Sequence, residues 1–134
     1  MAFNAGEIQP DAFIVNAVAG GAITKGYAVV ANASSSKFTT SAGAKPTGAV
    51  GIAITAATGD AAPVMVALGG QVSAVAAGSI KKYNFVSVAS SGKIEAATVD
   101  TDYIIGIALE DASADGDVVL IKLCPAFTNI DTTT

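Results

Sequence analysis

Two short stretches, VGIAI at residues 50–54 and IGIAL at residues 105–109, decide the fold that this sequence predicts. In both of them large aliphatic residues alternate with glycine or alanine, which is typical of a β-strand with one aliphatic and one nearly bare face. The aliphatic face predicts a core, with Ile52 and Ile107 as equivalent core residues. The bare face predicts the close approach of another backbone, either from a second sheet of the same chain or from another subunit.

These stretches belong to a longer internal repeat. Three more landmarks recur in the same order, at offsets of 55 to 57 residues: ITK at 23–25 with IKK at 80–82, SKF at 36–38 with GKI at 92–94, and Gly-Asp at 59–60 with Gly-Asp at 116–117. Each Gly-Asp pair is followed by an aliphatic strand. A repeat in this order predicts that the chain consists of two related halves.

The rest of the chain is typical of an all-β protein. Glycine and small polar residues interrupt it roughly every eight to twelve positions, and no long window has the period of a helix. Alternation predicts ten short strands, among them residues 64–68 and 71–75 on either side of a Gly69-Gly70 turn. We therefore predict a compact barrel or sandwich of short antiparallel strands built from two related halves, with extended N- and C-terminal arms.

The expected domain division follows from the two ends of the strand-rich region. Residues 1–11 form an N-terminal arm, residues 12–124 a β domain and residues 125–134 a C-terminal tail. Within the β domain, the two halves cover about 17–68 and 74–123.

Apolar residues recur in the arms, outside the β domain. Polar ends of this kind either fray without a function or become ordered on a neighbouring subunit, anchored by their apolar side chains. The anchors that we predict for such a partner interface are Phe3, Ile8, Pro10, Phe127 and Ile130.

The composition excludes most kinds of chemistry. The 134 residues carry a net charge of −4, and the sequence has no histidine, arginine or tryptophan. The commonest general base and metal ligand is therefore missing. The absence of arginine, with the acidic balance, argues against nucleic-acid binding. The single Cys124 cannot form an internal disulfide, and no phosphate-binding glycine motif is present. We predict no enzyme activity, no catalytic residues, no cofactor and no metal.

The sequence also predicts a protein that is made without export and has no membrane partner. Its N-terminus lacks a basic and apolar leader, and no apolar run approaches the roughly 20 residues of a membrane helix. Only 13% of the residues are charged, although 51% are hydrophobic. This thin coat of charge indicates that partner chains cover part of the surface.

One acidic stretch, residues 110–117, leaves an alternative open. Its carboxylates suit a hard cation such as calcium, but their spacing is not that of an EF-hand, and Asp115-Gly116-Asp117 is an ordinary turn. We favour the turn, and we interpret Asp100 and Asp102 in the same way. The alternative function is a carbohydrate- or cation-binding β module on a viral fibre or cell surface. A small hydrolase that uses carboxylates is weaker still.

The order of these motifs resembles that of the phage capsid cement, or head decoration, proteins. The resemblance covers residues 17–123, and its carriers are AITKG at 22–26, VGIA at 50–53, VALGGQV at 66–72, IGIALEDA at 105–112 and GDVV at 116–119. It implies a structural virion protein that is made in the host cytoplasm and binds the outer surface of a phage head. It also implies contact with the major capsid protein at the junctions between capsid subunits, and a homo-oligomer, with a trimer favoured and a dimer possible.

Overall fold

The computed structural model describes residues 13–31, 36–40, 50–89, 91–97 and 103–128 of the chain. In these ranges the protein is all-β, all paired strands are antiparallel, and there is no helix. The strands are β1 (Phe13–Val18), β2 (Ala28–Ala31), β3 (Phe38–Thr40), β4 (Val50–Ala53), β5 (Pro63–Val75), β6 (Phe85–Val88), β7 (Ile94–Ala96), β8 (Tyr103–Ala108) and β9 (Val118–Thr128).

The described strands form one sheet that curls into a half-barrel. The order across it is β3-β2-β4-β5-β9-β8-β6-β7, and β1 pairs with β5 outside this path. The predicted all-β, antiparallel fold is confirmed, and its architecture is this single curled sheet.

Strand β5 lies in the middle of the sheet and connects its two parts. The predicted turn at Gly69-Gly70 is wrong, because both glycines lie inside this 13-residue strand. A tight hairpin turn of type I′ needs positive φ at both central residues, but of these two only Gly70 has it, with a φ of 83°. Before Gly70 the strand pairs with β1 and β4, and from Gly70 onwards it pairs with β9. We call β1 to β4 with the first part of β5 the N-terminal half, and the remainder the C-terminal half.

The two halves repeat each other's backbone hydrogen bonds. The Ile23 N–H donates to the Ala57 carbonyl at 2.9 Å, and the Ile80 N–H donates to the Ala112 carbonyl at 2.9 Å. These pairs are counterparts in the repeat that the sequence contains.

Each half also has one lysine–aspartate ion pair at the same place. Lys37 Nζ lies 2.9 Å from Asp60 Oδ1, and Lys93 Nζ lies 2.8 Å from Asp115 Oδ1. The repeat read from the sequence aligns Asp60 with Asp117, and this detail is wrong, because Asp115 is the residue that pairs with the counterpart lysine.

Left-handed backbone positions recur as well. Three pairs of counterparts have positive φ: Gly26 (88°) with Tyr83 (71°), Ser36 (59°) with Gly92 (90°), and Ala61 (68°) with Gly116 (92°). One member of each pair is not glycine, although such residues rarely adopt this conformation. The backbone path is therefore retained where the side chain has changed.

Each half buries its own core, and the two cores share eight pairs of counterpart residues. In the N-terminal half they are Ala19, Ile23, Val29, Phe38, Ala53, Ala57, Val64 and Val66, and in the C-terminal half Ala76, Ile80, Val86, Ile94, Ala108, Ala112, Val119 and Ile121. In the C-terminal half this core continues into the contact between the halves.

The division into arm, β domain and tail stays a prediction. Residues 1–12 and 129–134 lie outside the described residues, and β9 continues to Thr128.

A backbone approaches the glycine of each quoted stretch closely, as predicted, but its source differs from the prediction. A Cβ atom on Gly51 would lie 2.5 Å from the Ala67 carbonyl oxygen, and one on Gly106 would collide with the Lys122 carbonyl oxygen. The approaching backbone belongs to the adjacent strand, β5 or β9. It comes neither from a second sheet nor from another subunit.

We expect Gly51→Ala and Gly106→Ala each to lower the free energy of unfolding by about 1–3 kcal/mol, because the new methyl group overlaps a backbone oxygen. Gly59→Ala and Gly78→Ala are matched controls, since a Cβ there meets nothing within 4 Å. Urea unfolding followed by circular dichroism measures all four. Equal stability of the two sets would contradict the close strand contact.

Candidate functional site

The described surface carries several large apolar side chains that the fold leaves exposed. They are Phe13, Val18, Met65, Tyr83, Phe85 and Val118. Tyr83 lies in the turn before β6 and is 68% exposed, and Phe85, the first residue of β6, is 47% exposed. Grouped apolar side chains at a surface mark sites of contact with other molecules.

The neighbourhood of Phe85 differs sharply from the equivalent place in the N-terminal half. Phe85 pairs across the sheet with Ile107, which is only half-buried. Ile52, the counterpart of Ile107 in the N-terminal half, is fully buried. The prediction that Ile52 and Ile107 are equivalent core residues is therefore wrong, because only Ile52 is fully buried, although both lie on the same face of their strands. The N-terminal half covers its own copy of this face by packing it on the C-terminal half.

A second surface feature is a mainly apolar pocket in the N-terminal half. Its volume is about 440 Å³, and it is lined by Asn16, Ala17, Thr55, Ala56, Pro63, Val64 and Met65. The Met65 N–H donates to Thr55 Oγ1 at 2.9 Å, which fixes one wall. The pocket can accept an apolar side chain of a partner, but it contains no charged group.

The acidic stretch is built as a turn, as predicted. Asp115 and Gly116 form the turn, and Asp117 Oδ2 closes it by accepting hydrogen bonds from the Ser113 N–H and hydroxyl, both at 2.9 Å, and from the Ala114 N–H at 3.1 Å. These bonds, led by the Ser113 N–H, hold the pKa of the Asp117 carboxyl below its usual range.

The other carboxylates of the stretch also have structural partners. Asp111 Oδ1 accepts from the Lys82 N–H at 2.7 Å, and Glu110 Oε1 accepts from the Leu120 N–H at 3.0 Å. Within the described ranges, no three His, Cys, Asp or Glu side chains are placed to hold a metal ion. The same ranges contain no helix with the length and apolar character needed to cross a membrane.

Of the five predicted partner anchors, four lie outside the described residues: Phe3, Ile8, Pro10 and Ile130. Phe127 lies in β9, where its backbone pairs with Ile104 of β8. A role of these five residues at a partner interface stays a prediction.

Sequence reasoning missed the exposed surface around Tyr83 and Phe85. A signal for it is present in the repeat, because Gly26 and Ala28 in the first copy are replaced by these two aromatic residues in the second. A change from small to aromatic at counterpart positions indicates that the second copy meets something that the first does not.

Comparison with known proteins places the chain in a family. The model of the family described as "Phage cement protein" matches residues 46–123, which is more than half of the chain. The chain belongs to the phage cement protein family. It is therefore a structural component of a phage virion, and membership of the cement family implies that it binds the capsid.

A solved structure supports the fold. The N base of the head fibre gp8.5 of bacteriophage phi29 superposes with a TM-score of 0.63 at 13% identity, over 84% of this chain and 95% of the fibre base chain. At this identity the likeness shows the fold alone. The search of curated proteins found no match for this cement family chain.

We expect Ile52→Asp to lower the free energy of unfolding by about 4 kcal/mol, since it places an unpaired charge at a fully buried site. Ile107→Asp should cost about half as much or less, because water reaches this position. Chemical unfolding of the two purified variants at equal concentration measures the difference. Equal losses would contradict the unequal burial of the two isoleucines.

The depressed pKa of Asp117 predicts an acid-sensitive turn. The folded state binds fewer protons at this carboxyl than the unfolded chain, in which an aspartate has a pKa of about 3.9. The stabilisation of the fold by the ionised Asp117 is therefore present above that pH. It is lost as the pH falls through the lower pKa of the folded state. We expect Asp117→Asn to be less stable than the native chain near neutral pH and to lose less stability between neutral and strongly acidic pH. Melting temperatures across this range measure it, with Glu95→Gln as a control for the loss of one charge. Parallel pH profiles for Asp117→Asn and the native chain would contradict the assignment.

Proposed function

We propose that this cement family protein decorates the outer surface of a phage head, where it contacts the major capsid protein and stabilises the junctions between neighbouring capsid subunits. The observation that carries this proposal is the family match over residues 46–123. The head fibre base of phi29, which has the same fold, adds support because it too is a component of a phage head.

The character of the described surface supports a role in contact rather than catalysis. Exposed Tyr83 and Phe85 offer apolar area for association. The carboxylates of the acidic stretch are engaged by backbone N–H groups and by Lys93, so their structural role is clear. The protein is accordingly proposed to act without enzyme activity, and no specific observation favours a sugar- or cation-binding module.

The geometry of a capsid lattice favours a protein of this kind. Many identical sites lie at fixed spacing, so an oligomer that meets several subunits at once gains affinity through effective concentration. We propose a homo-oligomer, with a trimer favoured, whose arms reach the neighbouring capsid subunits. The apolar anchors of the N-terminal arm in this proposal are Phe3 and Ile8.

The test uses expanded heads that lack the protein. We expect purified protein to co-sediment with these heads up to a fixed number of copies per head, and to raise the temperature at which they release their DNA, because a ligand that binds only the intact state stabilises it. Failure to co-sediment, or binding without any rise in that temperature, would contradict the cement function.

The same assay tests the arm. We expect the double variant Phe3→Ser with Ile8→Ser to lose binding to heads while it remains folded by circular dichroism. The matched control replaces the polar neighbours, as Asn4→Ser with Gln9→Ser, and should bind like the native chain. Full binding by the first double variant would exclude the arm as an anchor and leave the decoration function itself intact.

A further inference from the structure

The N-terminal half packs one face of its sheet on the C-terminal half. A row of three cross-strand neighbours on β2, β4 and β5, formed by Ala28, Ile52 and Ala67, is fully buried there. We call it the inner row. It belongs to the same buried cluster as the core of the C-terminal half.

Two backbone hydrogen bonds fix this contact between the halves. The Ala28 N–H donates to the Gly92 carbonyl at 2.7 Å, and the Val75 N–H donates to the Gly26 carbonyl at 3.1 Å. Both carbonyls belong to residues with positive φ. The contact therefore joins the first residue of β2 to the turn between β6 and β7, and the end of β5 to the turn before β2.

The counterpart of the inner row in the C-terminal half faces outwards. Phe85, Ile107 and Lys122 are cross-strand neighbours in the same order on β6, β8 and β9. We call them the outer row. Phe85 and Lys122 are exposed and Ile107 is half-buried.

The surface that receives the inner row has a less buried counterpart in the N-terminal half. Four residues at the margin of the C-terminal core are at most 2% exposed: Val72, Ala74, Val88 and Leu123. Their counterparts in the N-terminal half are all only partly buried: Val15, Ala17, Ala31 and Leu68. We call these four the open margin. Among the described residues, one copy of each of the two surfaces that meet inside the chain is therefore left without a partner.

We propose that a second copy of this chain completes the pattern, with the outer row of one molecule packed on the open margin of the next. This head-to-tail contact repeats between molecules the contact that the two halves make within one molecule. This inference rests on the homo-oligomer of the proposed function and identifies the surfaces through which its copies meet. The capsid protein takes no part in this contact. Such a heterologous contact closes into a ring when its rotation closes, and otherwise gives an open filament.

Backbone conformation supports the repeated contact. The counterparts of the two inter-half hydrogen bonds run from the Phe85 N–H to the Ser36 carbonyl and from the Val18 N–H to the Tyr83 carbonyl, each across the molecular boundary. Ser36 and Tyr83 have positive φ, as Gly92 and Gly26 do. Their carbonyls therefore sit in the backbone geometry that accepts the two bonds within the chain.

The differences between the two rows fit an interface between separate molecules. Lys122 stands where the inner row has Ala67, and its aliphatic stem can cover apolar surface while its charge stays in water. Ser87 follows Phe85 by two residues on the same face of β6 and is buried. The accessible apolar part of this face therefore consists of Phe85 with the half-buried Ile107 and Leu109. This mixture of an aromatic centre and a polar edge is typical of association interfaces.

The test measures the mass of the purified protein by light scattering after size exclusion, without capsids. We expect the native chain to assemble, either as a closed ring of fixed mass or as a filament whose mass rises with concentration. Phe85→Glu should break the outer row and Ala31→Glu the open margin, each weakening association roughly 30-fold or more, as for a central interface residue. Val118→Glu is the matched control, because its counterpart Pro63 stays exposed in the contact within the chain. This variant should assemble like the native chain.

A mixing experiment separates loss of a surface from loss of folding. Each of the two variants keeps the surface that the other has lost, so an equal mixture should give a heterodimer of twice the monomer mass and nothing larger. Two misfolded variants, or two variants of a symmetric interface, would not complement each other.

Three results would overturn the proposal. One is a native chain that is monomeric at every accessible concentration, with the Phe85 amide hydrogen exchanging freely; Tyr83 and Asn84 do not report on this, because their N–H groups donate to the Ala108 and Lys81 carbonyls within the chain. Another is a monomer in which the Phe85 amide is protected, which would show that an arm of the same chain covers this surface. The third is an oligomer that both variants leave unchanged, because its contacts would then lie elsewhere. None of these results bears on head binding, which is measured separately.

Discussion

Both cores of the protein depend on the hydrogen bonds of β5, which runs through the N-terminal and the C-terminal half without a break. Its first part lies between β1 and β4, and its second part pairs with β9. The change of partner takes place at Gly69-Gly70, where Gly70 has a φ of 83° that other residues rarely adopt. Because side chains alternate along a strand, a slip of one residue in β5 would turn the core residues of both halves outwards together.

This shared strand also explains why two similar halves have different surfaces. They are joined with the inner row buried between them, so the outer row and the open margin have no partner within the described part of the chain. In the oligomer that we propose, these two surfaces pack on each other, which suits a protein that binds a repeating lattice. The cement family membership and the surface geometry therefore point to the same kind of protein, one whose role is contact.

Much of the fold could be predicted from local patterns. Alternation located the strands around Ile52 and Ile107, and the glycines between the aliphatic residues predicted a close backbone contact, although the backbone belongs to the adjacent strand and not to a second sheet or another subunit. Periodicity assigns a side chain to a face, but it does not tell what covers that face, so the unequal burial of the two isoleucines was missed. The Gly69-Gly70 error has a similar origin, since a glycine pair is compatible with a turn or with a strand that changes partner. Of the candidate site, only the residues in the arms were predicted, and the surface around Phe85 required the comparison of two halves in three dimensions.

The central claim is that the protein binds the outside of a phage head as a contact-making oligomer. The most direct measurement is an electron cryomicroscopy reconstruction of expanded heads saturated with the protein. The account predicts ordered density on the outer surface at the junctions between capsid subunits, with Phe85 of one copy against Ala31 of the next. Heads without added density on their outer surface, or density at the centre of capsid subunits rather than at their junctions, would contradict it.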